Sequence, residues 1–428
     1  MSDRIQAIRG MRDILPPASR WWGVVERNMQ RVLELYDYCE IRTPLLEKTA
    51  LFSRSIGEQT DIVEKEMYTF ADRDGTSLSL RPEGTASVVR AFVEHNLHKK
   101  QPVHRLYYLG PMFRHERPQK GRLRQFFQLG VELLGAAGPA ADVEVIDVMI
   151  ACVEAAGIGS LSLHVNSLGC RACRPGYRTK LVEFLEAHAE SLCADCRRRL
   201  EHNPLRVLDC KQPRCVAVAE GAPHMIDHLC ADCAAHFGQV RRGLESLGIG
   251  YTVNHRMVRG LDYYNRTTFE LLADGLGAQN AVAAGGRYDG LVGMLGGADT
   301  PAVGFAIGLD RVLLVLEQIS SPPEAPPLVF VAAEPDHSGE ALRLLSRLRA
   351  AGIRASWDVR LGSFKSQLKR ADKSGARLVV LVGSREVESG TVTVKDMAAD
   401  DEEQKQRQVE NEWLVEEVER LLEGKGRH

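Results

Sequence analysis

The segment from Arg105 to Gly135 constrains the fold of this 428-residue chain most, because it predicts two long strands joined by a basic loop. The first strand is predicted over residues 105–114 and the second over residues 124–134. Successive side chains of a strand point to opposite faces, so the second strand presents two different surfaces. The loop between the strands carries Arg117, Lys120, Gly121 and Arg122.

The two faces of the second strand differ in chemistry. One face is mostly apolar and suits a core; it carries Gln125, Phe127, Leu129, Val131 and Leu133. The opposite face carries Arg124, Phe126, Gln128, Gly130 and Glu132. This mixed face suits the floor of a pocket for a ligand with an anionic part, a flat ring and an amine or imidazole. An ordinary amphipathic hairpin is the alternative interpretation.

Length and composition set broad limits. A chain of 428 residues, 44% hydrophobic and 26% charged, predicts a globular protein of two or three domains. The net charge of −2 confines any RNA-binding surface to a local patch. The N-terminal segment lacks the apolar core of a signal peptide, and no apolar run reaches the length of a membrane helix. We therefore expect a cytoplasmic protein with no membrane contact. The sequence contains no GxxxxGK[ST] loop and no GxGxxG motif after a strand, so ATP binding of these two types has no support.

Four blocks of sequence carry a resemblance. In chain order they are Arg81–Thr85 (RPEGT), Phe113–Glu116 (FRHE) with Arg124–Phe126 (RQF) after the basic loop, Arg259–Tyr264 (RGLDYY) and Gly304–Arg311 (GFAIGLDR). These blocks resemble the motifs of class II aminoacyl-tRNA synthetases, and within that class the histidyl-tRNA synthetase family. The resemblance covers nearly the whole chain, and four blocks in the family's order are far more specific than one.

The resemblance implies an α+β catalytic domain with a mixed, largely antiparallel sheet of the class II synthetase kind. That domain would comprise residues 1–168 and 241–319, with a helical cysteine-rich insertion at 169–240. Residues 320–327 contain four prolines and predict a linker. Residues 328–428 would form a C-terminal α/β domain that resembles an anticodon-binding domain.

The implied activity is ATP-dependent ligation of L-histidine to tRNA(His). The carboxylate of histidine attacks the α-phosphate of ATP, held as its Mg²⁺ complex, to give histidyl-adenylate and pyrophosphate. A ribose hydroxyl of the tRNA then takes the histidyl group and AMP leaves. In the family the first helix and strand build a homodimer interface, so a homodimer is expected; a plain core role for these elements is the alternative.

The resemblance also implies roles for individual residues. The catalytic residues would be Arg259 and Arg114. The histidine-binding residues would be Glu83, Gly84, Thr85, Gln128, Glu132, Arg259, Tyr263 and Tyr264. The ATP-binding residues would be Arg114, Phe126 and Arg311. The candidates for the tRNA acceptor end are Arg117 and Gln119.

Elementary chemistry agrees with these roles. The planar fork of an arginine bonds two phosphate or carboxylate oxygens at once and stays charged. A neutral imidazole has one donor and one acceptor nitrogen, which a carboxylate from Glu132 and a phenol from Tyr264 would match. For the block around Glu83, a helix-capping turn is the alternative to a contact with the ammonium group of the substrate.

Eight of the ten cysteines fall between Cys170 and Cys233, and three of their four pairs are CxxC. Eight thiols suffice for two tetrahedral zinc sites, and disulfides are disfavoured in a reducing cytoplasm. Structural zinc is one interpretation, and eight small residues without a metal are the other. The candidate ligands are Cys170, Cys173, Cys193, Cys196, Cys210, Cys215, Cys230 and Cys233. The remaining two, Cys39 and Cys152, are predicted to lie in the core.

Several local predictions concern where elements begin and end. Ser19 is predicted to cap the first helix and Thr85 to cap a helix over residues 86–96. Strands are predicted over residues 40–44 and 253–258, the second leading directly into Arg259.

In the C-terminal region, alternation of strands and helices predicts a largely parallel sheet. A basic stripe there suits phosphates, although such a stripe is usually only a solvated helix face. It consists of Lys365, Lys369, Arg370 and Lys373.

Two other classes of protein deserve comparison. A non-enzymatic regulatory relative, like the synthetase-like subunit of ATP phosphoribosyltransferase, would typically lack an intact RGLDYY block and an anticodon domain, and both are present here. A zinc-dependent RNA-binding scaffold would leave the mixed face of the second strand unexplained. Histidine-dependent pyrophosphate exchange separates both from a synthetase.

Overall fold

The computed structural model describes residues 4–57, 60, 62–274, 280–323, 325–399 and 405–423. The chain divides into two compact units, Met1–Pro322 and Pro323–His428. The described helices include none that is both long enough and apolar enough to cross a membrane.

The first unit is built on an eight-stranded sheet in the order β1-β5-β6-β11-β10-β9-β7-β8. Its six central strands are antiparallel, and parallel pairs close the two edges, so the predicted mixed and largely antiparallel sheet is confirmed. A smaller sheet has the order β2-β4-β3. The strands are β1 (Cys39–Glu40), β2 (Leu46–Lys48), β3 (Thr69–Ala71), β4 (Ser77–Leu80), β5 (His104–Phe113), β6 (Gln125–Leu134), β7 (Leu161–Ser167), β8 (Tyr251–Val253), β9 (Asn265–Ala273), β10 (Ala281–Arg287) and β11 (Ala302–Gly308).

Four helices form a core with one face of this large sheet, and the opposite face, partly covered by the helix Thr85–Glu94, carries the candidate site. The apolar side of β6, with Leu129, Val131 and Leu133, lies in a core formed with four of the helices, α1, α4, α8 and α10. This burial removes apolar surface from water, at roughly 25 cal/mol per Å². The α-helices of the unit are α1 (Ala18–Leu35), α2 (Thr49–Ile56), α3 (Thr85–Glu94), α4 (Pro139–Ala155), α5 (Arg174–Ala187), α6 (Ala194–His202), α7 (Pro213–Glu220), α8 (Ala231–Ser246), α9 (Leu291–Met294) and α10 (Leu309–Ile319).

The second unit holds a five-stranded sheet in the order β13-β12-β14-β15-β16. Its strands are β12 (Leu328–Ala333), β13 (Ala355–Trp357), β14 (Ala376–Val382), β15 (Thr391–Asp396) and β16 (Gln406–Glu410). Its helices are α11 (Ser338–Ala350), α12 (Phe364–Lys373), α13 (Ser384–Ser389) and α14 (Leu414–Glu423).

The prediction of a largely parallel sheet is wrong for half of this unit. β13, β12 and β14 are parallel, but β15 and β16 are antiparallel to their neighbours. A parallel neighbour needs a crossover of a dozen or more residues. The segment from β14 to β15, residues 383–390, is shorter than that, so the chain turns back and pairs antiparallel.

Two predicted boundaries and one predicted burial also fail. Helix α1 begins at Ala18 after Pro17, so Ser19 is inside the helix and is not its cap. Strand β1 ends at Glu40 instead of continuing to residue 44. Cys39 is exposed, not in the core, whereas Cys152 is buried as predicted.

The strand predicted over residues 253–258 is wrong as well. β8 ends at Val253 because Asn254 folds the chain into a turn: its side-chain oxygen accepts the N–H of Arg256 at 3.2 Å, and its carbonyl accepts the N–H of Met257 at 3.0 Å. Asparagine favours such turns. Arg259 therefore lies in a loop and not at the end of a strand.

A buried ion pair ties β10 to α4 and α8. Arg287 has no exposed side chain and donates through Nε to both carboxylate oxygens of Asp142 at 3.2 Å. His236 on α8 contacts the same carboxylate at 3.2 Å. Burial alone would raise the pKa of Asp142, but the hydrogen bonds and charges of His236 and Arg287 outweigh it and lower that pKa.

We expect Asp142→Asn to destabilise the first unit strongly, because the buried Arg287 cation loses its fully buried anion and keeps only the partly exposed Asp289. Breaking a buried pair by removing one partner costs about 3–5 kcal/mol. The matched control is Asp147→Asn on the same helix, which loses one hydroxyl partner, Tyr36, for about 1 kcal/mol. Urea unfolding of both variants measures the difference, and equal losses would contradict the assignment.

Candidate active site

The face of the large sheet opposite that core has a floor of very small residues. Strand pairing sets Glu132 opposite Gly304, and Gly304 opposite Gly286. Two positions along, the row runs Gly130, Ala306, Ala284 and Glu270. Paired residues share a face of the sheet, so two carboxylates stand on one floor with little side-chain bulk between them.

Glycine is required at two floor positions because other side chains lie across them. A Cβ atom on Gly304 would lie 2.1 Å from Oε2 of Glu132, and one on Gly130 would lie 2.1 Å from Cζ of Tyr108. Contacts this short are not tolerated, so both glycines let neighbouring polar groups lie flat on the sheet.

Glu132 is the most deeply buried carboxyl group of the floor. It is 1% exposed, and it accepts a hydrogen bond from Oγ1 of Thr85 at 2.7 Å and another from the hydroxyl of Tyr288. Burial raises its pKa to about 8, against the lowering effect of these two hydrogen bonds. Near neutral pH the carboxyl group therefore takes up a proton in the pocket, and it can donate to a ligand as well as accept.

The RPEGT block forms the wall beside Glu132. The carboxylate of Glu83 accepts the backbone N–H of Thr85 at 2.7 Å and that of Ala86 at 2.9 Å. Glu83, not Thr85, therefore satisfies the start of α3, and the prediction that Thr85 caps this helix is wrong. Thr85 turns its hydroxyl to Glu132 instead. A Cβ atom on Gly84 would lie 2.2 Å from the ring of Tyr108, so this position also excludes side chains.

Arg114 and Phe126 meet at one end of the floor. The guanidinium carbon of Arg114 lies 5.3 Å from the ring centroid of Phe126, and its Nε donates to the carbonyl of Pro82 at 2.9 Å. A cation over an aromatic face is favourable, and the bond to Pro82 fixes the arginine between the hairpin and the RPEGT block.

Arg259 and Tyr264 lie over the opposite part of the floor. Nη1 of Arg259 donates to Glu270 at 2.6 Å, and its guanidinium carbon lies 5.3 Å from the ring centroid of Tyr264. The Tyr264 ring covers Gly286, where a Cβ atom would lie 2.9 Å from it. The rings of Tyr263 and Tyr264 are 4.7 Å apart, and both side chains are buried.

Two buried polar atoms at this site have no partner among the described residues: Nε of Arg259 and Oε1 of Gln128. A buried polar atom without a hydrogen bond costs about 1–3 kcal/mol. A bound molecule with an acceptor near Arg259 and a donor near Gln128 would remove that cost.

Arg311 joins the site from α10. Its Nη1 donates to the carbonyl of Ala281 at 2.7 Å and its Nε to the carbonyl of Gly121 at 3.2 Å, so it connects β10 to the basic loop. Burial lowers its pKa. The two candidates for the tRNA acceptor end, Arg117 and Gln119, are exposed on the basic loop and do not lie on the floor.

The eight insertion cysteines form two groups of four, and in each group the sulfur atoms lie within 4.8 Å of one another. We call Cys170, Cys173, Cys230 and Cys233 the entry cluster, and Cys193, Cys196, Cys210 and Cys215 the inner cluster.

Both clusters have the donor set of a four-thiolate metal site. Backbone N–H groups point at sulfur in each: Cys230 N lies 3.1 Å from Sγ of Cys173, and Cys193 N lies 3.2 Å from Sγ of Cys215. Such bonds stabilise thiolates, the form that binds zinc. Four convergent sulfur atoms with these bonds fit a tetrahedral ion.

Sequence reasoning missed three residues of the site. Tyr288, which donates its hydroxyl to Glu132, lies in the glycine-rich segment Gly285–Leu291, outside the four motif blocks. Glu270 is the only acidic residue of β9 and stands between Phe269 and Leu271, and that was a usable signal. Asp310 accepts the backbone N–H of Phe127 at 2.8 Å and pairs with Arg12 at 3.0 Å, contacts between distant parts of the chain that no local pattern reveals.

Comparison with known proteins gives a consistent result. A family model described as histidyl-tRNA synthetase matches residues 10–312, and one described as an anticodon binding domain matches residues 328–421. A histidine–tRNA ligase of Syntrophotalea carbinolica is 52% identical over 92% of this chain and 94% of that protein. One of Trichlorobacter lovleyi is 51% identical over the same shares.

Solved structures agree. The apo histidyl-tRNA synthetase of S. aureus superposes with a TM-score of 0.80 at 36% identity, over 97% of this chain and 99% of that one. A protein of Bacillus halodurans C described as an ATP phosphoribosyltransferase regulatory subunit/histidyl-tRNA synthetase shares the fold at 23% identity, with a TM-score of 0.66 over 90% of this chain. On its sheet, its site and these relatives together, the chain belongs to the histidyl-tRNA synthetase family.

Proposed function

We propose that the floor of the large sheet carries out the ATP-dependent charging of tRNA(His) with histidine that family membership assigns to this chain. The observation that supports this most is the pair of buried unpartnered atoms, Nε of Arg259 and Oε1 of Gln128, on the same floor as a buried carboxyl group, Glu132. Histidine has a carboxylate that would accept from Nε of Arg259, an ammonium group that would donate to Oε1 of Gln128, and an imidazole that would bond Glu132.

Histidine would bind with its imidazole between Glu132 and Tyr264. Glu132 lies across Gly304 and the Tyr264 ring lies across Gly286 on the neighbouring strand, so the two side chains that would bind the ring are adjacent on the floor. A carboxyl group that holds a proton near neutral pH can serve either nitrogen of a neutral imidazole. Glu83 and Gln128 would face the ammonium group, and Gly84, Thr85 and Tyr263 would shape the walls.

ATP would lie across the other end of the floor. Phe126 would stack on adenine, Arg114 would hold the α-phosphate, and Arg311 would reach the γ-phosphate. Attack of one anion on another builds negative charge on phosphorus, which fixed cations and Mg²⁺ offset. Arg259 would act between the histidine carboxylate and the α-phosphate.

The tRNA would meet the acceptor candidates Arg117 and Gln119 in the basic loop, and the second unit through α12. Lys365, Lys369 and Lys373 are exposed on that helix, four residues apart, and so share one face. Arg370 of the predicted stripe instead pairs with Asp358. Three exposed cations in a row suit the phosphates of an anticodon stem.

We further propose that both cysteine clusters hold structural zinc, and that the protein is a cytoplasmic homodimer. A cytoplasmic location keeps the thiols reduced for metal binding. The edge strand β1, with Cys39 and Glu40 exposed, leaves one side of the large sheet available for a second copy.

Glu132→Gln should raise the KM for histidine roughly 10- to 100-fold, because a fixed amide replaces a carboxyl group that can donate or accept to match the imidazole, and a buried group left without its partner costs about 1–3 kcal/mol. The KM for ATP in the same exchange assay is the internal control and should change little. A variant with normal histidine dependence would refute the role of Glu132.

The same variant should gain thermal stability relative to the parent as pH rises. Burial holds the folded pKa of Glu132 near 8, above its ordinary value of 4.5, so the parent loses stability between these pH values. Melting temperatures of both proteins at pH 5 and pH 8 test this. If the melting temperature of the variant instead fell relative to that of the parent as pH rises, the raised pKa of Glu132 would be refuted.

Arg259→Ala should slow adenylate formation on the order of 10²–10³-fold, the usual cost of one preorganised donor. Arg259→Lys keeps the charge without the fork and should also be slow. Arg256→Ala, in the same loop and paired with Glu220, is the matched control and should form adenylate normally. Single-turnover measurements decide; a folded Arg259→Ala protein with a normal rate would show that Arg259 is only structural.

Protein purified without added metal should contain close to two zinc ions per chain, one for each cluster. Cys193→Ala with Cys196→Ala should bring this to about one and loosen the insertion first, whereas Cys39→Ser, outside both clusters, should leave zinc unchanged. Metal analysis with limited proteolysis measures both. A fully active, equally stable protein without metal would exclude structural zinc.

A further inference from the structure

The entry cluster occupies a different place in the fold from the inner cluster. Its first pair, Cys170 and Cys173, follows β7 where the chain leaves the large sheet, and its second pair, Cys230 and Cys233, begins α8 where the chain returns. The entry cluster thus joins both crossings between the insertion and the catalytic sheet. The inner cluster lies wholly between them.

The residue next to the entry cluster reaches the proposed histidine pocket. Arg174 follows Cys173 and is the first residue of α5. Its Nη2 donates to the backbone carbonyl of Tyr264, and its Nε donates to the carbonyl of Leu168 at 3.3 Å. One guanidinium therefore connects the entry cluster with the residue whose ring covers Gly286.

A second connection lies on the other side of the cluster. The N–H of Leu168 donates to the carbonyl of Arg266 at 2.7 Å, and the N–H of Arg266 donates to the carbonyl of Gly169 at 2.9 Å. The chain is therefore bonded to residues 264–266 immediately before Cys170 and again immediately after Cys173. A displacement of this cysteine hairpin has to move the backbone of Tyr264.

The sulfur atoms control where this hairpin lies. Cys173 is buried, and its Sγ accepts the N–H of Cys230, while Sγ of Cys170 lies 3.9 Å from Sγ of Cys230. Without an ion, four thiolates this close repel one another, and four thiols fill the space poorly. A tetrahedral metal removes the repulsion and sets the positions of all four Cα atoms.

We propose that the entry cluster and Arg174 form one positioning unit for the histidine pocket: a zinc ion fixes Cys173, Cys173 fixes Arg174, and Arg174 holds the carbonyl of Tyr264. Arg174 acts through Tyr264 and is a positioning residue. This inference rests on the proposed histidine site and on the proposed zinc.

The inner cluster supplies the contrast. Its links to the RGLDYY loop are less direct: Asn203, seven residues from both Cys196 and Cys210, donates to Asp262 at 3.3 Å, and Arg206, four residues before Cys210, lies beside Gly260. Links through intervening residues restrain the loop less than Arg174, which directly follows Cys173. The inner cluster is therefore expected to stabilise the insertion without setting the pocket.

The test compares two serine variants with matched positions. Cys170→Ser and Cys193→Ser each remove the first, partly buried sulfur of one cluster. Both should bind one zinc fewer and unfold more readily. Only Cys170→Ser should raise the KM for histidine in pyrophosphate exchange, about tenfold, with the KM for ATP within about twofold. A tenfold rise in the KM for histidine corresponds to a loss of about 1.4 kcal/mol of binding free energy.

A second pair tests Arg174 without touching the metal. Arg174→Ala should keep both zinc ions and raise the histidine KM about tenfold, and Arg174→Lys should recover part of it because one donor remains. Arg178→Ala removes the same charge one helical turn further on and should stay within about twofold of the parent.

Three results would overturn the proposal: an equal rise in histidine KM for both serine variants, no change for Arg174→Ala, or equal effects of Arg174→Ala and Arg178→Ala. A parent protein without metal would exclude the zinc step. The comparison of Arg174→Ala with Arg178→Ala would still show whether Arg174 positions Tyr264. Failure of the histidine site is recognised separately, because Tyr264→Phe and Glu132→Gln would then leave the histidine KM unchanged.

Discussion

The register of β6 against β11 is the constraint on which the site depends. It sets Glu132 opposite Gly304, so the carboxyl group lies across the neighbouring strand and not above its own. A shift by one residue would bring Val303 beside Glu132 and turn the acidic group into the apolar core. The hydrophobic face of the sheet fixes this register, because the cost of exposing it is far larger than any single contact in the pocket.

Burial then gives the floor its chemistry. Glu132 is surrounded by Tyr288, Thr85 and Tyr108 and is kept from water, which favours its neutral form. Arg259 stays charged beside Glu270 although it is buried, because an anion and an aromatic face compensate for lost water. The floor thus places a proton-holding carboxyl group and a permanent cation on one sheet, and the proposed histidine site uses this pair of groups.

The alternation along residues 124–134 was sufficient to predict β6, its core face and the position of Glu132, because a strand has a period of two wherever it occurs. Other predictions failed for local reasons. The strand before Arg259 ends early because the side chain of Asn254 forms a turn, and Thr85 does not cap its helix because the helix already begins at Thr85, whose N–H donates to Glu83. Each failure involves a side chain that bonds backbone a few residues away, which periodicity does not register.

The sequence by itself determined the family, the order of the elements and which residue types were available for chemistry, since motifs and periodicity are local properties. The tertiary structure decided which groups meet. It divided eight cysteines into two clusters by bringing Cys170 and Cys230 together across the insertion, and it brought Arg174 to Tyr264 and Tyr288 to Glu132. These contacts join residues dozens of positions apart, and only the packing of the whole sheet and insertion fixes the distances between them.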